Sequence, residues 1–140
     1  MASVETSRRE ASLRLEARHR VLMGQFLTPA SVAMFMARMI ECKKPVVRLL
    51  DPGAGLGSLS AAFVAEMCRR EDRPDAISVT ACELDPMLIG YLGSTLKLCK
   101  AVSEDAGIRF EARILVKNFL EVGSNTFVGD LFAAELQRRI

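Results

Sequence analysis

The stretch VVRLLDPGAGLG at residues 46–57 decides the fold of this 140-residue chain. It opens with a short, nearly continuous apolar run, which is typical of a parallel strand buried on both faces of a sheet. Gly53, Gly55 and Gly57 alternate in the loop that follows, and an apolar helical pattern begins directly after them. Glycine lets the backbone turn sharply and lets a ligand approach without a Cβ in the way. This order of strand, glycine-rich loop and helix start predicts a site for a carboxylate- or phosphate-bearing ligand.

Two further strands are predicted downstream, each after a helix. Helical patterns over residues 59–70 and 87–102 alternate with strand patterns over residues 77–82 and 108–116. This alternation predicts right-handed parallel crossovers and therefore an α/β fold. Apolar and charged residues alternate in the last strand pattern, so we expect that strand at an edge of the sheet, with one face buried and one exposed.

Upstream of the first strand the sequence predicts two helices. One covers residues 5–22 and carries five arginines, for which a solvated face is favoured over a phosphate-binding face. The other begins near Pro29, because proline suits a first helical turn. Its apolar stripe is interpreted as core-facing and consists of Val32, Phe35, Met36, Met39 and Ile40. Other basic residues are expected to be solvated, namely Lys43, Lys44, Arg69, Arg70 and Arg73.

The composition is that of a soluble globular protein, with 50% hydrophobic residues, 26% charged residues and a net charge of +2. No apolar run approaches the roughly 18–20 residues that span a bilayer, so no membrane partner is expected. The N-terminal charges, Glu5, Arg8, Arg9 and Glu10, predict that no secretory signal is present, and hence a cytoplasmic location. The 4 cysteines lack CxxC spacing and there is 1 histidine, so we expect reduced, packed thiols and no metal site.

Two carboxylates lie where the predicted strands end. Asp51 follows the first strand, where it would face a cationic group of a ligand, and Glu83 follows the second. A carboxylate in the second position can accept both hydroxyl protons of a ribose. The glycine spacing disfavours a dinucleotide, because Ser58 stands where that fingerprint has glycine or alanine. A tight turn without a ligand remains open, as does Glu83 as an ordinary acid near a helix whose N-cap is Asp85.

Three segments carry a family resemblance. GQFLTP at residues 24–29, LLDPGAGLGSLSAAF at residues 49–63 and ACELDP at residues 81–86 together resemble the amino-terminal part of the N6-adenine DNA methyltransferases of bacterial restriction-modification systems, in the gamma-type motif order. The resemblance covers residues 21–121. It implies a partial Rossmann-like methyltransferase sheet with N-terminal helices, S-adenosylmethionine as the cofactor and DNA as the substrate.

The resemblance also implies cofactor-binding roles for particular residues. Those expected to pack against the methionine end of the cofactor are Gln25, Phe26, Thr28 and Pro29. Those expected to form the loop beside it are Asp51, Pro52, Gly53, Ala54, Gly55 and Gly57. Glu83 would hold the ribose and Leu84 would cover the adenine. Asn118 and Phe119 stand where the family has Asp-Phe, and an amide there offers a carbonyl oxygen to the adenine amine without the charge.

The catalytic tetrapeptide of that family, Asn/Asp/Ser-Pro-Pro-Tyr/Phe, has no counterpart, because the sequence contains no Pro-Pro pair. Residues 127–140 have the pattern of an amphipathic helix rather than of the family's fourth strand. We therefore expect a helical segment at residues 1–44, a cofactor-binding half at residues 45–121, a tail at residues 122–140 and no catalytic residue. This predicts a truncated or split enzyme that is inactive alone and either needs a complementary polypeptide beside its first strand or is marginally stable without one.

Two other functions remain open. One is a non-catalytic module that binds the cofactor or nothing and acts through an exposed strand edge. The other is a fragment of a nicotinamide-dependent oxidoreductase, which the glycine spacing disfavours.

Overall fold

The computed structural model describes residues 1–14, 27–117 and 119. Its elements are α1 (Ala2–Arg14), α2 (Ala30–Arg38), β1 (Val46–Pro52), α3 (Ser58–Arg69), β2 (Ala76–Cys82), α4 (Pro86–Asp105) and β3 (Arg109–Leu115). The predicted α/β class is confirmed, with each predicted strand in place, and α1 begins three residues earlier than predicted. The predicted helix at residues 127–140 and the rest of the first helix lie outside the described residues.

The strands form a parallel sheet in the order β1-β2-β3. Val47 lies opposite Ile77, which lies opposite Phe110, so that these three side chains share one face. They belong to one buried cluster with Val64 of α3 and Leu92 of α4. Each fully buried aliphatic side chain of this kind contributes about 1.5–3 kcal/mol. The helices therefore cover this face and hold the strand ends, where the predicted site lies, in place.

The other face of the sheet is partly exposed. Arg48, Glu111 and Arg113 alternate with the core residues and are exposed, and Arg113 donates a hydrogen bond to Thr80 Oγ1 at 3.0 Å. The prediction that β1 is buried on both faces is therefore wrong. Within the described residues β1 pairs only with β2, and the predicted edge position of β3 is confirmed there.

The apolar stripe of α2 faces away from the core, contrary to the prediction. Phe35 is 65% exposed and Met39 is 68% exposed. The buried side of α2 consists instead of Ala33 and Ala37, which pack against Ala62 of α3. Small side chains allow two helix backbones to approach closely, and the larger side chains are then left on the outer face.

Glu5 connects α1 to α2. Its carboxylate accepts hydrogen bonds from Arg8 at 2.9 Å and Arg9 at 3.3 Å, and from the backbone N–H of Ala30 at 3.2 Å. A carboxylate at the first residue of a helix also interacts favourably with the helix dipole. Arg8 and Arg9 are thus engaged by an acid, which argues against the phosphate-binding alternative for these two residues.

We expect acid to destabilise the protein partly through Glu5. The hydrogen bond from Arg8 lowers the pKa of Glu5 from 4.5 to about 2. Because the pKa is depressed in the folded state, the stabilisation is complete above pH 4.5 and is lost as the pH falls toward 2. The Tm, followed by circular dichroism, should fall less steeply over this interval in Glu5→Gln than in the unsubstituted protein. Glu10→Gln, at an exposed position of the same helix, is the control, and an unchanged slope in Glu5→Gln would contradict the prediction.

Glu66, near the C-terminal end of α3, also binds two arginine side chains. Burial acts to raise the pKa of Glu66, but hydrogen bonds from Arg69 and Arg70 outweigh it and lower the pKa. Arg70 also donates to the carbonyl oxygen of Ile40 at 2.6 Å, which joins α3 to the segment after α2. Arg69 is largely exposed, as expected, whereas the expectation that Arg70 is solvated is wrong, because its side chain is mostly buried.

Candidate cofactor site

The glycine-rich loop between β1 and α3 turns as predicted. The φ angles of Gly53, Gly55 and Gly57 are 73°, 59° and 86°, all in the left-handed region that favours glycine. The N–H of Ala54 donates to the carbonyl oxygen of Cys82 at 2.8 Å, and the N–H of Gly57 donates to that of Ala54 at 2.8 Å. These bonds hold the loop against the end of β2.

Two of these glycines are required for different reasons. A Cβ on Gly57 would stand 2.9 Å from Leu92 Cδ1 and 3.1 Å from Thr95 Cγ2, so this residue allows α4 to pack against the loop. A Cβ on Gly53 would meet no described residue within 4 Å. Within the described part of the chain the space beside Gly53 is therefore open to a ligand.

Glu83 joins the loops that follow β1 and β2. Its Oε2 accepts the N–H of Gly55 at 2.7 Å, and its Oε1 accepts the N–H groups of Leu84 and Asp85 at 2.7 Å and 2.8 Å. The backbone N–H of Glu83 donates to the carbonyl oxygen of Leu115 at 3.1 Å, which adds the end of β3 to the same cluster. The buried carboxylate thus joins the loops after β1 and β2, and the backbone N–H of the same residue joins them to the end of β3. Asp85 caps α4 as predicted, since its side chain accepts the N–H of Met87 at 2.9 Å.

Asp51 lies at the base of the loop and is only 6% exposed. Its Oδ2 accepts a hydrogen bond from the hydroxyl of Ser60 at 2.6 Å. Burial raises the pKa of Asp51, the side-chain and backbone hydrogen bonds with Ser60 counteract it, and the negative charge of Glu83 adds to the rise. A buried carboxylate of this kind favours a nearby positive charge.

We expect Asp51→Asn to stabilise the free protein. Because the pKa of Asp51 is raised in the folded state, its ionised form is a cost to stability that disappears as the pH falls to the usual 3.8. At pH 7 the Tm of Asp51→Asn should exceed that of the unsubstituted protein by about 3 °C per kcal/mol relieved. The difference should vanish in acid. Asp72→Asn, at an exposed position, is the control, and a lower Tm for Asp51→Asn at pH 7 would contradict the prediction.

The remaining predicted site residues are placed as follows. Thr28 is half-buried and Pro29 is exposed directly before α2, Pro52 is exposed and Ala54 is buried, Leu84 is exposed beside Glu83, and Phe119 is half-buried. Three predicted residues lie outside the described part of the chain, namely Gln25, Phe26 and Asn118.

Sequence reasoning missed two residues of the cluster. Leu27 packs on the loop, since its Cδ2 is 3.3 Å from the Cβ position of Gly55. Ser60 holds Asp51. The signal for each was its place inside a motif segment, GQFLTP for Leu27 and LLDPGAGLGSLSAAF for Ser60.

One other feature of the described residues, a groove, lies apart from this cluster. A groove of about 690 Å³ between α4 and β3, lined in part by Leu96, Phe110 and Ile114, shares no residue with it. No group of three or more His, Cys, Asp or Glu side chains suited to a metal ion occurs in the part of the chain described. No helix described here is long and apolar enough to cross a membrane. Cys68, Cys82 and Cys99 are buried free thiols.

A parallel β-α-β-α-β unit with a glycine-rich loop after its first strand and an acid after its second is consistent with a partial Rossmann-like methyltransferase fold. Comparison with known proteins agrees. The chain is 34% identical over 119 residues to the type II methyltransferase M.BsuBI of Bacillus subtilis, a match covering 83% of this chain and 22% of that protein. It is 26% identical over 137 residues to the type II methyltransferase M.PstI of Providencia stuartii, covering 98% of this chain and 27% of that protein.

The predicted resemblance to methyltransferases of restriction-modification systems is thereby confirmed. The chain spans about a quarter of the length of these curated relatives, 22% of one and 27% of the other. No family model matches it.

Proposed function

We propose that this chain is the S-adenosylmethionine-binding portion of a DNA methyltransferase that modifies the N6 atom of adenine. The observation that carries the proposal is the Glu83 carboxylate, which holds the glycine-rich loop through Gly55 N–H at 2.7 Å where three parallel strands end. In open α/β sheets ligands bind at this end of the strands. The similarity to two type II methyltransferases supports the same function.

The residues of the cluster fit this cofactor. A carboxylate has about four acceptor positions, and the described residues fill three of those on Glu83 with N–H groups. One ribose hydroxyl can therefore bind directly, and a second would displace a backbone N–H. Leu84 offers an exposed apolar surface for the adenine, and the open space beside Gly53 admits the rest of the molecule.

Charge supports the same choice of cofactor. S-adenosylmethionine supplies a methyl group on a positively charged sulfonium. The buried Asp51 carboxylate lies at the base of the loop and favours a nearby cation. We propose that Asp51 and Glu83 orient the cofactor, and that transfer requires the Pro-Pro motif that this sequence lacks.

The proposal is tested by equilibrium dialysis with radiolabelled S-adenosylmethionine and by label transfer to adenine-containing DNA. We expect the 140-residue chain to bind the cofactor, more weakly than a full-length enzyme, and to transfer no label. A nicotinamide dinucleotide should not compete. Absence of cofactor binding would overturn the first part of the proposal, and labelled DNA would overturn the second.

We further propose that the open edge of β1 accepts a strand from a complementary polypeptide. Unpaired N–H and C=O groups on such an edge are a template for pairing, and within the described residues β1 has a partner on one side only. The exposed side chains of Phe35 and Met39 favour the second candidate function, a non-catalytic interaction module. Failure to bind the cofactor, together with concentration-dependent association in sedimentation, would favour the module.

A further inference from the structure

Ser60 contacts Asp51 across the glycine-rich loop. It lies in the first turn of α3, is 0% exposed, and donates its hydroxyl to Asp51 Oδ2 at 2.6 Å. This distance is typical of a charge-assisted O–H···O⁻ hydrogen bond. The bond spans the whole glycine-rich loop, because Asp51 lies before the loop and Ser60 after it.

We propose that Ser60 is a positioning residue of the methyl-donor site, whose hydroxyl holds the Asp51 carboxylate in one orientation beneath the loop. The inference rests on the proposed function, since it assigns the role through Asp51. A serine hydroxyl that merely filled its own hydrogen-bonding capacity could have used a backbone carbonyl of its own helix. The Ser60 hydroxyl donates instead to Asp51, the only acidic residue among residues 51–60.

The same contact affects the charge of Asp51. Burial raises the pKa of Asp51 and the charge of Glu83 raises it further, whereas the hydrogen bonds with Ser60 lower it. The neighbouring thiol of Cys82 is kept protonated, since burial and the charge of Asp51 both raise its pKa. Without the Ser60 hydroxyl the pKa of Asp51 should rise. If ionised Asp51 is the form that binds the sulfonium, acidification should abolish cofactor binding at a higher pH without the Ser60 hydroxyl than with it.

The test compares the unsubstituted protein with Ser60→Ala and Ser60→Thr, of which the threonine variant retains a hydroxyl. The titration of the Asp51 side-chain carboxyl is followed by ¹³C NMR without cofactor, and S-adenosylmethionine binding is measured by dialysis over the same pH range. Ser103→Ala is the matched control. Ser103 is also 0% exposed and lies in α4, where its side chain neighbours the Cys68 thiol and not the glycine-rich loop.

We expect Ser60→Ala to raise the midpoint of the Asp51 titration, to move the acid limb of cofactor binding upward, and to weaken binding at neutral pH roughly tenfold. Ser60→Thr should restore both, and Ser103→Ala should change neither. An Asp51 titration that is the same in Ser60→Ala and the unsubstituted protein would overturn the inference, even if the alanine variant bound poorly. If the unsubstituted protein bound no cofactor at any pH, the proposed function would fail, whereas the NMR titration would still decide whether Ser60 controls Asp51.

Discussion

Replacement of Gly57 by alanine is expected to lower the free energy of unfolding by about 2–5 kcal/mol, from the left-handed backbone and from overpacking together. The residue has a φ of +86°, and its added Cβ would stand 2.9 Å from Leu92 Cδ1 and 3.1 Å from Thr95 Cγ2. Both contacts belong to the interior of α4, which cannot withdraw without disturbing the core around Leu92. Urea denaturation followed by circular dichroism measures the effect.

Gly107 provides the matched control for this substitution. It has a similar φ of +78°, but a Cβ there would meet none of the residues described within 4 Å. Gly107→Ala should therefore show the backbone cost alone, about 1–2 kcal/mol. Equal losses in the two variants would mean that α4 does not depend on the absence of a side chain at Gly57, and the packing argument would fail.

Replacement of Glu83 by glutamine is expected to reduce S-adenosylmethionine binding roughly 10- to 100-fold, the range for a lost hydrogen bond to a charged group. The carboxylate oxygens accept three N–H groups, one from Gly55 and two from the following residues. Glutamine has nearly the shape of glutamate, but its NH₂ group is a hydrogen-bond donor. That NH₂ group would face at least one of these N–H groups, with which it forms no hydrogen bond. The hydrogen bond to the glycine-rich loop and the proposed hydrogen bond to the ribose are then both weakened.

Dialysis with the radiolabelled cofactor checks this result, and circular dichroism verifies that the variant is folded. Glu104→Gln is the control, because Glu104 is exposed in α4 and forms only a surface ion pair with Lys100 at 2.7 Å. If folded Glu83→Gln bound the cofactor as tightly as Glu104→Gln, then Glu83 would be a structural acid of the loop and the assignment of the site would lose its main support.

Several elements followed directly from local chemistry. A nearly continuous apolar run specified β1, and three alternating glycines specified a left-handed turn that few other residues adopt at low cost. Asp85 before Pro86 specified the start of α4, because an aspartate N-cap and a proline in the first turn act within a few residues of each other. Such features depend on neighbours in the sequence, so that the pattern was sufficient to predict them.

The orientation of α2 could not be read in the same way. Nearly all of its circumference is apolar, and a hydrophobic pattern then fails to distinguish the inner face from the outer. The face that is buried depends on Ala62 of α3, against which Ala33 and Ala37 pack. Phe35 and Met39 are then left on the outer face.

The sequence alone determined the order of strand, loop and helix and the position of the two acids at the strand ends. Each of these features depends on backbone preferences within a stretch of a few residues. Only the tertiary structure decided that Glu83 binds Gly55 across 28 positions and that Ser60 holds Asp51. Contacts between residues far apart in sequence follow from how the strands align and how α3 and α4 pack on them. No local pattern encodes that alignment, and the chemistry of the site depends on it.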